Sequence, residues 1–167
     1  MSDPLCYIKF TVVSEVKLQR LMTVVAELSE RKQSEDWKDV FYWKKFFNSE
    51  ELKHFTELSE SQMQEWTEFW NETPVEMRLG IDMPTPGWTF ESMIDAIYHG
   101  DYELINVKLI QDNAALLEIE PRGWPYGGLE PLKALVRCFN HIILGFQTGD
   151  QPFVNGDPLR PIWNPST

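Results

Sequence analysis

Cysteine and histidine are scarce in these 167 residues, with two of the first and three of the second, and none is paired at metal-ligand spacing. Cys6 and Cys138 are too few for a disulfide framework. Each lies in an apolar run, where the side chain behaves as a small hydrophobe, so two reduced core thiols in a cytoplasmic protein are expected. No apolar run approaches the roughly 20 residues that span a membrane. The opening Met1-Ser2-Asp3-Pro4 has no basic stretch leading into an apolar one, so no signal peptide is expected. Cations are also short: 15 Lys and Arg stand against 26 Asp and Glu, a net charge of −11. That balance weighs against nucleic acid, whose binding draws on cationic contacts to phosphate, and against anionic membrane surfaces. It suits a basic protein partner, and equally plain solubility.

Motifs with a chemical mechanism are missing too. There is no phosphate-binding P-loop, dinucleotide fingerprint, nucleophile elbow or paired-cysteine zinc pattern. No cofactor, metal or catalytic residue is implied, and the expectation leans away from an enzyme.

What is present suffices for one core. The chain is 43% hydrophobic and 25% charged, an ordinary globular balance for a domain that buries roughly 70% of its unfolded surface. Residues 5–13 (LCYIKFTVV) are β-branched and aromatic with little alternation, which predicts a mostly buried strand. Ser14 offers an N-cap. Leu18, Leu21, Met22, Val25 and Leu28 then recur at helical spacing, predicting a helix to about Gln33.

Residues 36–47 predict a helix whose seven apolar side chains are too many for one buried stripe; Phe41, Tyr42 and Trp43 cannot all face inward. Asn48 with Glu51 opens another helix, carrying Leu52, Phe55 and Leu58. Ser59 with Gln62 forms a capping box for a third, carrying Met63, Trp66, Phe69 and Trp70. Residues 34–76 hold eleven acids and four lysines, so −7 of the −11 is concentrated here.

Thr89 caps a helix with Phe90, Met93, Ile94, Ile97 and Tyr98 toward the core, closed by Gly100. Residues 102–110 and 114–120 predict a hairpin about Gln111-Asp112-Asn113. Pro131 suits the first turn of a helix carrying Leu132, Leu135, Val136 and Phe139. Asn140 can end it before a last strand at 141–147; the alternative is a helix continuing to Gly145. The tail, 150–167, contains four prolines and is expected to be extended.

The order is strand, helix, helical insertion, strand, strand, helix, strand. With the insertion (34–87) set aside, this is a ferredoxin-like βαββαβ plan: an α+β domain over 1–149 with a four-stranded antiparallel sheet. Such a plan hosts many unrelated activities and assigns none.

Three groups are candidates for function. Glu118 and Glu120 share one face of a strand, where paired carboxylates serve acid–base work or, more often, form a solvated surface. The loop at 121–128 (PRGWPYGG) joins a strand to a helix N-terminus. Arg122 suits an anion, Trp124 and Tyr126 an apolar wall, and Gly127 and Gly128 a close backbone approach; the same residues also serve turn geometry. Trp37, Trp43, Trp66 and Trp70 lie among acids on short helices, a composition suited to a protein interface or to the insertion's own small core. The favoured expectation is a non-enzymatic interaction protein, antidote- or immunity-like, binding a basic partner or itself; small-molecule or anion binding at the loop is the competing one.

Overall fold

A computed structural model describes residues 6–111, 113–123 and 126–165. Five strands form one antiparallel sheet: β1 (Cys6–Thr11), β2 (Tyr102–Gln111), β3 (Ala114–Pro121), β4 (Ile142–Thr148) and β5 (Val154–Asn155), ordered β2-β3-β1-β4-β5. The expected four strands become five because the tail turns back at Gly149. It pairs Val154 and Asn155 with Phe146 and Gly145.

The first helix, α1 (Glu15–Gln33), begins at the predicted cap: the Ser14 hydroxyl accepts from the Lys17 amide at 3.1 Å. Its Leu18, Leu21, Val24, Val25 and Leu28 are buried against the sheet. Four short helices follow: α2 (Val40–Lys44), α3 (Ser49–Leu52), α4 (Glu60–Glu72) and α5 (Val75–Arg78). The helices α6 (Phe90–His99) and α7 (Glu130–Cys138) add their apolar sides to the same core. Asn140 takes a positive φ of 63°, a conformation Asn tolerates. The last helix therefore ends before β4 and does not continue to Gly145.

β1 differs from expectation. Cys6, Ile8 and Phe10 are buried while Tyr7, Lys9 and Thr11 are partly exposed. The helices pack on the buried three, and the other three face outward beside Glu118 and Glu120 of β3. The predicted helix at 36–47 shrinks to the five residues of α2. Its crowd of rings resolves as periodicity requires: Trp43 is fully buried and Phe41 is 72% exposed. The helix opened by Asn48 ends at Leu52, and Phe55 reaches the core from the turn beyond it.

A buried ion pair fastens the insertion to α1. Glu51 is 4% exposed, and it accepts from Arg20 Nε at 2.7 Å and Nη2 at 2.6 Å. Oε1 of Glu51 also takes the Asn48 amide at 2.8 Å, closing a capping box that stops α3 from drifting off α1.

Candidate interaction surface

The four tryptophans of the insertion separate into two pairs. Trp43 has no exposed surface; its indole donates to the Lys38 carbonyl at 3.1 Å. Trp37 stacks between Trp43 and Tyr98, each ring centroid 4.7 Å away. Trp43 is thus a core residue, and Trp37 is partly buried and packs against that core. The reason is periodicity: in so short an α2, only one side can turn inward, and Trp43 lies on it.

Trp66 and Trp70 lie elsewhere. α4 starts at the predicted capping box, with the Gln62 amide donating to the Ser59 hydroxyl at 3.2 Å and the Ser59 amide to Gln62 Oε1 at 2.9 Å. Yet none of its 13 residues is buried. Its apolar side is met by the tail: Trp163 stands edge-on to Trp66 at 5.4 Å and tilted against Phe69 at 6.2 Å. Arg78 closes the other end, its Nε donating to the Thr73 carbonyl at 3.0 Å and its Nη2 to Asn71 at 3.2 Å while the guanidinium lies over Trp70. The arginine thereby satisfies carbonyls that a helix C-terminus leaves open.

The tail reaches α4 as a strap. Phe153 stacks on Tyr7 across the open sheet face, and the Gly156 amide donates to Leu144. Arg137 of α7 holds Asp157 through Nε at 2.7 Å and a further short contact from Nη2. Beyond, Thr85 and Ile162 form a parallel bridge, with Trp163 N donating to Thr85 O at 2.8 Å. None of these pairings is visible in sequence spacing, since the partners lie far apart along the chain.

Around α4 the surface is acidic. Residues 60–82 carry Glu60, Glu65, Glu68, Glu72, Glu76 and Asp82 against the single cation Arg78. Glu60, Glu68, Glu72, Glu76 and Asp82 form no ion pair among the described residues. Their field is left open to solvent.

Of the loop at 121–128, residues 121–123 and 126–128 are described. Trp124 lies outside the described residues. Arg122 is already paired with Glu103, and its amide donates to Asp101 O at 2.8 Å. Tyr126 is buried against Cys6, and burial raises its hydroxyl pKa to about 12. Gly127 and Gly128 take positive φ of 95° and 82°, the turn geometry that glycine permits.

Arg122 does border a polar hollow of about 610 Å³ that Lys32, Asp101, Tyr102 and Glu103 also line. Lys32 Nζ donates to the carbonyls of Ile97 at 2.7 Å, Tyr98 at 3.2 Å and Gly100 at 2.5 Å. Burial lowers its pKa to about 8, and Asp101 opposes that shift. All three ammonium protons serve the end of α6, which leaves none for an anion. Glu118 and Glu120 share the outer sheet face as expected, beside Asn106 and Glu103 of β2.

Of the histidines, His54 and His99 are exposed, and His99 Nδ1 lies 2.9 Å from the Asp95 carbonyl at the end of α6. His141 is buried against Phe10. Among the described residues, no three His, Cys, Asp or Glu side chains are grouped as metal ligands, and no helix is long and apolar enough to cross a membrane. No family model, curated protein or solved structure matches the chain.

Proposed function

We propose that this chain is a non-enzymatic interaction protein that engages a basic protein partner through its acidic helical insertion, in the manner of an antidote that neutralises a cationic toxin. One observation carries this reading: α4 buries none of its residues, and five carboxylates on and beyond it lack a cationic partner among the described residues. A cluster of like charges kept solvated raises the rate at which an oppositely charged partner arrives and selects its sign. Trp66 and Trp70 supply large, half-buried aromatic surface beside those charges.

The body presents this surface on a plan read here as ferredoxin-like. The order β2-β3-β1-β4, with β3 between β1 and β2, supports that plan, and β5 is an appended edge.

The test is affinity capture from native lysate at low and high salt, compared with the charge reversal Glu68→Lys/Glu72→Lys. A stoichiometric basic partner that is retained at low salt, released at high salt and lost with the reversal is expected. A partner-free protein at both salts would sink the proposal.

A further inference from the structure

Four of the exposed large apolar side chains lie close together in the chain. Val75, Met77, Leu79 and Ile81 occur within seven residues and are 69%, 59%, 83% and 68% exposed. Val75 and Leu79 are four residues apart, one turn along α5 and its end, and so lie on one side of it. Ile162 of the strap, 70% exposed, is bridged to Thr85, which is four residues beyond Ile81 in the chain. Nothing in the fold requires this. The neighbouring Met83 is the residue that goes inside, at 5% exposure. Large apolar side chains left in water this close together mark a contact site.

What covers it follows from its rim. Glu72, Glu76 and Asp82 flank the four side chains in the chain, and none has a cationic partner among the described residues. Arg78, the one cation within the patch, is turned back onto Trp70 and the end of α4. An anionic lipid surface is repelled by such a rim. The two free edges of the sheet are poorer docking sites: β5 is two residues long, and β2 carries irregularities between Leu104 and Asn106 and between Leu109 and Gln111 that break a continuous ladder.

We infer that the 75–81 patch is the anchoring site for a cationic amphipathic helix of the partner protein, its apolar side seated on Val75, Met77, Leu79 and Ile81 and its lysines or arginines over Glu72, Glu76 and Asp82. This rests on the proposed function and adds to it the class of ligand and the residues that hold it. Charge on α4 accelerates the encounter, and the patch sets how long the complex lasts.

The test uses a synthetic Leu/Lys amphipathic helix of roughly 18 residues, five helical turns, titrated into isotope-labelled protein. A Leu/Glu peptide of the same pattern and a Lys/Gln peptide of the same charge serve as comparisons. The Leu/Lys peptide is expected to bind with amide shifts centred on 75–81, and Leu79→Ser/Ile81→Ser is expected to weaken it by about tenfold. Both substituted residues face solvent, so circular dichroism and the melting temperature should match the parent. Equal binding of the Leu/Lys and Lys/Gln peptides, or parent-like binding by the double variant, overturns the inference while leaving the acidic-surface proposal standing. If neither cationic peptide binds, both fail. A parent dimer in sedimentation that the double variant converts to monomer also overturns it, because the patch is then covered by a second copy.

Discussion

A single buried imidazole shows how environment decides chemistry. His141 Nδ1 accepts from the Val13 amide at 3.3 Å, its ring packs on Phe10, and Nε2 is buried without a partner. Burial lowers its pKa from 6.5; a hydrogen bond with the Lys17 backbone opposes that shift, and the Lys17 charge adds to it more weakly. A base whose folded pKa is depressed binds more protons when unfolded, so stability is complete above the unfolded value and is lost as pH falls through about 6.5 toward the folded value. Urea unfolding at pH 7.5 and 5.5 should show lower stability at the acid pH, and His141→Gln should flatten that difference. An unchanged slope would assign it to other groups.

Glu51 sits equally far inside, and its worth lies in two bonds to Arg20 and a cap. Glu51→Ala leaves the guanidinium and the Asn48 amide without their acceptor, so a loss of about 1–3 kcal/mol is expected in denaturant unfolding. At this scale the sequence speaks unevenly. The Asn48–Glu51 capping box is local and legible, whereas the Arg20–Glu51 pair, 31 residues apart, is not. Trp43 and Trp66 look alike in sequence, but one is core and the other surface.

Among the elements, α4 and the strap hold each other. α4 gives no residue to the core, and the strap's last ring, Trp163, lies on Trp66 and Phe69. Trp163→Ala should speed amide exchange in α4 while amides of β1 and β3 keep their protection; equal loss in both would mean that α4 is part of the central cooperative unit. The strap's first hold is the close approach at Gly145, where a Cβ would lie 2.3 Å from the Phe153 ring and 2.3 Å from the Val154 carbonyl. Gly145→Val must therefore lift the strap off β4, at a cost of about 1–3 kcal/mol. A variant as stable as the parent would show that β5 contributes nothing. The helix starts at Ser14, Asn48, Ser59 and Thr89 were legible because a cap is a contact within three residues. The stops of α2 and α3 were not, because tertiary packing ends those helices while the apolar pattern runs on.

Across the whole molecule, the charge of −11 is large for 167 residues, and the uncompensated carboxylates around α4 repel one another. Screening should relieve that repulsion, so added salt is expected to raise the melting temperature, and less so in Glu68→Gln/Glu72→Gln. A melting temperature that falls with salt would show that the ion pairs outweigh the repulsion.

By itself the sequence determined the order of the four longer strands with α1, α6 and α7, the helix starts at Ser14, Asn48, Ser59 and Thr89, the two buried thiols and the concentration of acid between α1 and α6. All of these depend on residues close together in the chain or on composition alone. Only the tertiary structure decided that a fifth strand and a strap come from the tail, that Trp43 goes inside while α4 stays outside, and that Val75 to Ile81 remain bare. The physical reason is the same in each case. Burial depends on which surfaces meet, and here they belong to residues tens of positions apart, which no local pattern encodes.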